Sequence, residues 1–104
     1  MVKKKRRVIE IVEFKLKSGR DEDDFKKVSD KAQKFLEIQP GYEHRIILRK
    51  KDKNFYQDQV QWRNEDYAKI ARKNSETAEE FEDYYGMISH VSIKTTHPEL
   101  IKMY

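Results

Sequence analysis

The stretch from Phe55 to Arg63 constrains the fold most, because its side chains alternate between two kinds. The even-numbered positions from Tyr56 to Trp62 are aromatic or apolar apart from Asp58, and the odd-numbered positions between them are glutamines. A period of two places successive side chains on opposite faces of a β-strand. We therefore expect a strand in a sheet that has one face packed against other elements.

The remaining sequence supplies three more strands and the helices that cover the sheet. Alternating patterns predict strands over residues 8–16, 42–51 and 87–95, and Lys51–Asn54 has the length of a hairpin turn. Apolar residues at three- and four-residue steps predict a helix after Asp21 and a second helix, in two pieces, after Asn64. This β-α-β-β-α-β order predicts an α+β, ferredoxin-like fold, with an antiparallel sheet and helices on one face.

The helix boundaries carry their own signals. Asp21 and Asn64 can each cap the free amides of the helix that follows them. Thr77 and Glu80 have the spacing of a capping box, which predicts the start of the last helical piece. Gly86 is expected to break that piece before the last strand.

A ferredoxin-like sheet leaves its second face without helices, and apolar residues there would need to be covered. A second copy of the chain can cover them in a symmetric homodimer. We expect the glutamines of residues 55–63 to lie at that interface, where amides pair with one another and with water. Trp62 would then face the helices.

The basic side chains are concentrated at the start of the chain. Residues 3–7 are all Lys or Arg, and they account for the positive sign of the net charge of +4. Such a run can bind nucleic acid or an anionic surface. We favour a solvated arm over residues 1–7, because no RNA-binding aromatic motif, zinc-finger spacing or helix-turn-helix pattern accompanies it. A nucleic-acid partner is therefore not expected.

Composition excludes several classes of chemistry. The chain has no cysteine, which excludes disulfides, thiolate catalysis and cysteine-ligated metal sites. No apolar run approaches the length of a membrane-spanning helix. Glu10 and Glu13 interrupt the stretch after the basic arm, which therefore lacks the apolar region of a signal peptide. We expect a cytoplasmic protein with no membrane segment.

Three local motifs are informative because of their order and spacing along the chain. They are the strand exit Phe14–Gly19, the helix exit Phe35–Tyr42 with its Gln-Pro-Gly-aromatic sequence, and the strand-to-helix segment Gln61–Ala68. Together they resemble the antibiotic-biosynthesis monooxygenase (ABM) family of the dimeric α+β barrel superfamily, over residues 8–97. The resemblance implies a single domain over those residues, followed by a tail over residues 98–104. It also implies a homodimer, with a cavity between the helices and the sheet of each subunit.

The resemblance is incomplete at the positions that carry chemistry. Haem-degrading and polyketide-oxidising members share an asparagine in the first strand, and the matching position here is Val12. Their tryptophan is present as Trp62. The haem-degrading members also place a histidine ligand about ten residues after it, where this chain has Ile70–Lys73 and no histidine. Haem degradation is therefore not supported, and we expect neither a cofactor nor a metal.

Two histidines on predicted strands are the candidate catalytic groups, since a cavity histidine can act as a general base: His44 and His90. Aromatic residues with polar tips suit the wall of a site for a planar ligand. The candidate cavity-lining and substrate-binding residues are Phe35, Trp62, Tyr67, Tyr84, Tyr85 and Glu13. Glu10 is the other strand carboxylate that could face the cavity, and His97, beside Pro98, is expected to be exposed.

Two functions fit these expectations. The first is a cofactor-independent monooxygenase acting on an aromatic or quinone-like small molecule. The alternative is a non-catalytic dimeric module of the same fold that binds a small ligand. Whether the chain is an enzyme is left open by the sequence, because the fold hosts many functions.

Overall fold

The structure is a computed structural model that describes residues 5–51 and 54–104. Predicted features at residues 1–4 of the arm and at residues 52–53 of the hairpin turn lie outside the described residues. The elements are β1 (Val8–Lys15), α1 (Glu22–Leu36), β2 (Tyr42–Arg49), β3 (Phe55–Trp62), α2 (Glu65–Ser75), α3 (Glu79–Met87) and β4 (Lys94–Thr96).

The four strands form one antiparallel sheet in the order β2-β3-β1-β4. With the three helices, it makes the predicted α+β, ferredoxin-like arrangement. The predicted bounds of the first three strands are right to within two residues. β1 and β3 pair from Val8–Trp62 to Lys15–Phe55, so opposite residues share a face.

The helix-covered face of the sheet carries an aromatic core. The rings of Phe14 and Phe25 are 5.4 Å apart, and Phe25 lies 5.3 Å from Tyr56 and 5.7 Å from Tyr84. Phe14 and Phe25 are almost completely buried. Burying one such side chain stabilises a fold by roughly 1.5–3 kcal/mol, so these rings fasten α1 and α3 to the sheet.

The opposite face of the sheet, which we call the open face, carries the glutamines of β3. Gln59 lies opposite Ile11 of β1 and Ile46 of β2. Trp62 lies on the helix-covered face and is buried. The predicted division of β3 into a polar and a packed face is therefore confirmed.

β2 contains an irregularity that the sequence pattern did not reveal. Tyr42 and His44 have the same parity, but a register shift between them puts Tyr42 opposite Trp62 and His44 opposite Gln61. Tyr42 consequently packs edge-on against Trp62, with ring centroids 6.0 Å apart. His44 consequently lies on the open face, although simple alternation would place it on the same face as Tyr42.

Two of the predicted helix starts are confirmed by hydrogen bonds. The side chain of Asp21 accepts a hydrogen bond from the backbone N–H of Asp24 at 2.8 Å. Asn64 accepts one from the N–H of Tyr67 at 3.2 Å. Each cap occupies an amide that the first helical turn leaves without a partner.

The predicted capping box is wrong, because α3 begins at Glu79 and its cap is Ala78, which makes no side-chain hydrogen bond. Thr77 lies instead in the tight turn after α2, where its N–H bonds the carbonyl of Asn74. Gly86 does not break the helix, since α3 continues to Met87. A single glycine costs a helix only about 1 kcal/mol, which packing can offset.

The last strand is much shorter than predicted. Residues 87–93 end α3 and form a short 3-10 turn at His90–Ser92, and only Lys94–Thr96 pair with β1. This segment is fixed to the end of β1 by individual bonds. The N–H of Ser89 bonds the carbonyl of Lys15 at 2.9 Å, and the N–H of Lys15 bonds Ser92 Oγ at 2.8 Å. His90 therefore does not lie on a strand.

Past β4 the chain continues alongside β1. The N–H of Ile9 bonds the carbonyl of Pro98 at 3.0 Å, and the N–H of Leu100 bonds that of Arg7 at 2.8 Å. Among the described residues, each helix is too short or too polar to cross a bilayer. The compartment expected from the sequence stays a prediction.

Candidate functional site

A cavity of about 140 Å³ lies between the helix-covered face of the sheet and α2 and α3. Its wall is mostly apolar and aromatic. The polar side chains on it come from five positions: Glu10, Asp58, Arg72, Ser75 and Thr95. An apolar cavity of about 150 Å³ holds one benzene molecule, so this one has the volume of a single ring.

A buried ion pair adjoins the cavity through Asp58. Arg45 and Asp58 face each other from β2 and β3, with Nε–Oδ1 at 2.9 Å and Nη2–Oδ2 at 2.8 Å. Their side chains are only 5% and 7% exposed. The phenol of Tyr84 donates to the same Oδ2 at 2.6 Å, and Arg45 also donates to the carbonyl of Ser29 at 3.0 Å.

These contacts shift two pKa values. Burial alone would lower the pKa of Arg45, but the hydrogen bonds and charge of Asp58 raise it above its usual value. Burial, followed by the carboxylate of Asp58, raises the pKa of Tyr84 well above its usual value. Tyr84 therefore stays protonated and donates to Asp58. The hydrogen bonds among Arg45, Asp58 and Tyr84 stabilise the structure beside the cavity.

A second polar cluster lies at the rim of the cavity and joins three elements that are distant in sequence. Glu10 of β1 accepts from Arg72 Nε of α2 at 2.9 Å and contacts His97 Nε2, just after β4, at 3.0 Å. Arg72 Nη2 also lies 2.9 Å from Glu10 Oε2 and contacts the His97 ring. All these bonds to Glu10 are made at one oxygen, Oε2.

Tyr85 stands on the wall near this cluster. Its hydroxyl lies 2.9 Å from Ser75 Oγ, which in turn donates to the carbonyl of Arg72 at 2.7 Å. Ser75 Oγ donates its only hydrogen to that carbonyl. Tyr85 is therefore the donor in the bond between the two hydroxyl groups. Burial raises the pKa of Tyr85, and the negative charge of Glu10 adds to that shift.

Trp62 lines the cavity and also carries a hydrogen-bond donor without a partner among the described residues. The side chain is 1% exposed, and its indole N–H is buried without a hydrogen-bond partner among the described residues. A buried donor without a partner costs about 1–3 kcal/mol. A ligand oxygen that reached this N–H would remove that cost.

Three of the predicted cavity-lining residues, Trp62, Tyr84 and Tyr85, line this cavity. Phe35 lies behind the wall, in edge-on contact with Phe81 at 5.5 Å. Tyr67 packs over Gly41, where an added Cβ would overlap its ring. Neither Phe35 nor Tyr67 lines the cavity.

Glu13 does not line the cavity, so that expectation does not hold. Glu13 and Glu10 are three positions apart, and the alternation of β1 sends their side chains to opposite faces. Glu13 lies on the open face, where Gln57 donates to it at 2.7 Å and Gln59 donates to Gln57 at 3.0 Å.

The two candidate catalytic histidines lie away from the cavity. His44 is exposed on the open face of β2, and His90 is exposed in the turn after α3, with Nε2 3.1 Å from the carbonyl of Tyr85. Their catalytic role stays a prediction that the geometry of this cavity does not support. His97, expected to be exposed, is the histidine that the structure places at the rim.

Sequence reasoning missed Arg72 and Asp58 on the cavity wall and His97 at its rim, and it left Glu10 as an alternative to Glu13. Glu10 has the same parity as Val8 and Val12, which are packed on the helix-covered face, so the alternation of β1 contained that signal. No local pattern marks Arg72 or His97, because a contact over 25 residues joins them.

Residues 5–51 and 54–104 contain no group of three or more His, Asp or Glu side chains placed to hold a metal ion. The expected absence of a metal and a cofactor stays a prediction.

No protein-family model matches the sequence, and a search of the curated proteins finds no match either. Solved structures do match. A protein from Bordetella bronchiseptica assigned as an antibiotic biosynthesis monooxygenase is 17% identical, with a TM-score of 0.80 over 94% of this chain and 100% of that one. A mutant of SnoaB, a cofactor-independent oxygenase from Streptomyces nogalater, is 17% identical, with a TM-score of 0.77 over 94% and 96%.

A protein from Caulobacter crescentus with the same assignment is 14% identical, with a TM-score of 0.72 over 95% of this chain and 93% of that one. At these identities the likeness establishes the fold. The structural resemblance to ABM-like proteins that the sequence motifs predicted is therefore confirmed over most of the chain: its fold is that of the antibiotic biosynthesis monooxygenases.

Proposed function

We propose that this protein is a cofactor-independent monooxygenase that acts on a small aromatic molecule of the quinone type, bound in its reduced, hydroquinone form. The observation that carries the proposal is the cavity, which has the volume of one ring and is walled by Trp62, Tyr84 and Tyr85. The likeness to a cofactor-independent oxygenase supports it at the level of the fold.

The chemistry needs electrons that the substrate itself can supply. Hydroquinone and dioxygen would give 2-hydroxy-1,4-benzoquinone and water, so that one oxygen atom forms a new carbon–oxygen bond and the other leaves as water. The protein would hold the ring, exclude bulk water and provide a group that takes and returns protons.

Trp62 gives the cavity a means of orienting such a ligand. Its indole N–H is the buried donor left without a partner among the described residues, and a hydroquinone oxygen is an acceptor. Aromatic walls would pack against the ring faces, while this donor would fix which oxygen lies deepest.

The proposal is tested by dioxygen uptake with hydroquinone. We expect uptake with the wild type and a loss of roughly tenfold in Trp62→Phe, because a hydrogen bond to the ligand is removed. Tyr67→Phe is the matched control, since Tyr67 is an aromatic residue of α2 outside the cavity wall. A folded wild type that consumes no dioxygen would refute the proposal.

A ligand-binding module is the second candidate, and one observation favours it. Asp58 and both cavity tyrosines are committed to hydrogen bonds within the protein, which leaves few groups free for proton transfer. Saturable binding of hydroquinone under argon, without turnover in air, would select this alternative.

We also propose that the open face packs against a second copy of the chain. Ile46 and Leu48 are 48% and 44% exposed there, beside the glutamine chain of β3. Two such faces can bury their apolar side chains together and let the amides bond across the interface.

A further inference from the structure

The cavity contains two carboxylates, and they differ in how many of their oxygens are already bonded. Asp58 is fully engaged: Arg45 binds both of its oxygens, and Tyr84 donates to one of them. Both oxygens of Asp58 are therefore already bonded within the protein.

The two tyrosines of the wall are also committed. Tyr84 donates to Asp58 at 2.6 Å, and Tyr85 donates to Ser75 at 2.9 Å. Burial keeps both phenols protonated, since the pKa of each is raised. Neither is available to accept a proton near neutral pH.

Glu10 is different, because its contacts are all made by one oxygen. Arg72 Nε, Arg72 Nη2 and His97 Nε2 lie 2.9, 2.9 and 3.0 Å from Oε2. Oε1 makes no hydrogen bond with any of the described residues. The side chain is 13% exposed and lines the cavity. The side chain thus has one carboxylate oxygen, Oε1, without a hydrogen-bond partner among the described residues.

We propose that Oε1 of Glu10 accepts the proton of a ligand hydroxyl, with Arg72 and His97 as positioning residues. This inference rests on the proposed function, which it deepens by naming the proton acceptor. It also narrows the ligand to a neutral ring that presents an O–H group at the rim. A ring carboxylate at that position would meet the charge of Glu10 and be disfavoured.

Three nitrogen atoms contact Oε2 and restrict the carboxylate. Arg72 approaches with a planar guanidinium and His97 with a ring nitrogen, from α2 and from the segment after β4. Because Oε2 is bonded from both sides, a rotation that exchanged the two oxygens would break these contacts. Oε1 consequently keeps its place and offers an acceptor in a fixed position.

The proton moves from the ligand hydroxyl to Glu10 and then to the oxygen atom that leaves as water. Oε1 takes the proton of the hydroxyl, and the electron pair of the broken O–H bond stays on the ligand oxygen as a phenolate. Dioxygen is the oxidant of the phenolate. It adds to the ring carbon beside the phenolate oxygen, and the terminal oxygen of the peroxide so formed takes the proton back from Oε1, so that Glu10 is an anion again. The hydrogen of that ring carbon then leaves as a proton, the electron pair of its C–H bond forms the new C=O bond, and the O–O bond breaks. The departing hydroxide takes this second proton and leaves as water, and the dicarbonyl product is a tautomer of 2-hydroxy-1,4-benzoquinone.

The first test measures binding rather than turnover, with phenol and its isostere fluorobenzene as probes. The protein has a single tryptophan, Trp62, and its fluorescence reports occupancy of the cavity. We expect the wild type to prefer phenol and Glu10→Gln to lose about tenfold or more of that preference. In the variant, the amide oxygen should take the place of Oε2 beside Arg72, so that an N–H group replaces Oε1.

Glu13→Gln is the matched control, because Glu13 lies on the same strand but on the open face and bonds Gln57. It should keep the wild-type preference. Because both probes are compared in every protein, differences in their hydration cancel. An unchanged preference in Glu10→Gln would overturn the inference. If Glu10→Gln does not fold, Glu10→Asp replaces it: the shorter carboxylate should also reduce the preference, and an unchanged value would count equally against us.

A separate binding measurement tests whether His97 positions the carboxylate of Glu10. In His97→Gln we expect fluorobenzene to bind as it does to the wild type and phenol to bind more weakly, because only phenol uses Oε1. If His97→Gln only damaged the cavity, the affinities for phenol and fluorobenzene would fall by the same factor. Equal weakening would therefore overturn the role proposed for His97.

Turnover of hydroquinone separates this inference from the proposed function. We expect kcat to fall by about 10²–10⁴ in Glu10→Gln and to stay unchanged in Glu13→Gln. A wild type with a phenol preference that depends on Glu10 but with no dioxygen uptake would refute the monooxygenase and support the acceptor. Uptake that Glu10→Gln retains would refute the acceptor and leave the monooxygenase standing.

Discussion

Tyr84 of α3 donates its phenol hydrogen to Asp58 of β3 at 2.6 Å, inside a core that the ring itself helps to fill. The bond links the last long helix to a central strand. It also adds a hydrogen bond to the buried carboxylate of Asp58, which Arg45 already binds. The wall of the cavity and the stability of the fold therefore depend on the same contact.

Tyr84→Phe should destabilise the protein by about 1–3 kcal/mol, because the carboxylate of Asp58 loses a donor that water cannot replace. The free energy of unfolding in urea measures the loss. Tyr104→Phe is the control, since that ring is fully exposed and its hydroxyl should contribute nothing. Equal stability of Tyr84→Phe and the wild type would contradict the importance given to this bond.

The raised pKa of Tyr84 predicts a loss of stability in alkali. The unfolded chain releases this proton near pH 10, whereas the folded protein retains it to a higher pH. The free energy of unfolding should therefore be constant with respect to this group below pH 10. Above that value it should fall as the pH rises toward the folded-state pKa.

In Tyr84→Phe the part of this alkaline slope due to Tyr84 should disappear. Urea unfolding of both proteins between pH 9 and 11 checks the prediction. A slope that is the same in the variant would mean that other groups cause it.

Two glycines with the same backbone conformation should differ in how they tolerate a side chain. Gly19 and Gly41 both have φ of +82°, but an added Cβ meets nothing at Gly19 and overlaps the Tyr67 ring at Gly41. Gly19→Ala should cost about 1 kcal/mol from the left-handed backbone alone, and Gly41→Ala should cost more. Thermal unfolding of both variants gives the comparison. Equal costs would show that Tyr67 moves aside freely.

The proposed dimer predicts different results for two exposed isoleucines. Ile46 lies on the open face, and Ile70 lies on α2 with 55% of its surface exposed. Ile46→Glu should convert the dimer to a monomer, because two charges would be buried at the interface, and Ile70→Glu should leave it intact. Native mass spectrometry reports the subunit number. A dimer that survives Ile46→Glu would place the interface elsewhere.

Much of the sheet was predictable because its signals are local. The alternation of Tyr56–Trp62 with the glutamines fixed both faces of β3, and the caps Asp21 and Asn64 marked two helix starts. The end of the chain was harder to predict. Residues 87–95 contain enough apolar side chains for a strand, yet Ser89 and Ser92 satisfy the end of β1 by loop bonds.

The cavity was partly predictable for the same reason. Aromatic residues of β3 and α3 have periods that show which face they occupy, and Trp62, Tyr84 and Tyr85 line the cavity. The rim depends on long-range contacts: Glu10 meets Arg72 across 62 positions and His97 across 87. Such pairs leave no periodic trace in a single sequence.

The central claim is that the cavity holds a hydroquinone and adds one atom of dioxygen to it. The most direct test is a reaction of the wild type with hydroquinone under ¹⁸O₂, with mass spectrometry of the product. We predict 2-hydroxy-1,4-benzoquinone that carries one labelled atom, with the second label in water. Unlabelled product, plain benzoquinone with labelled hydrogen peroxide, or no reaction at all would contradict the account.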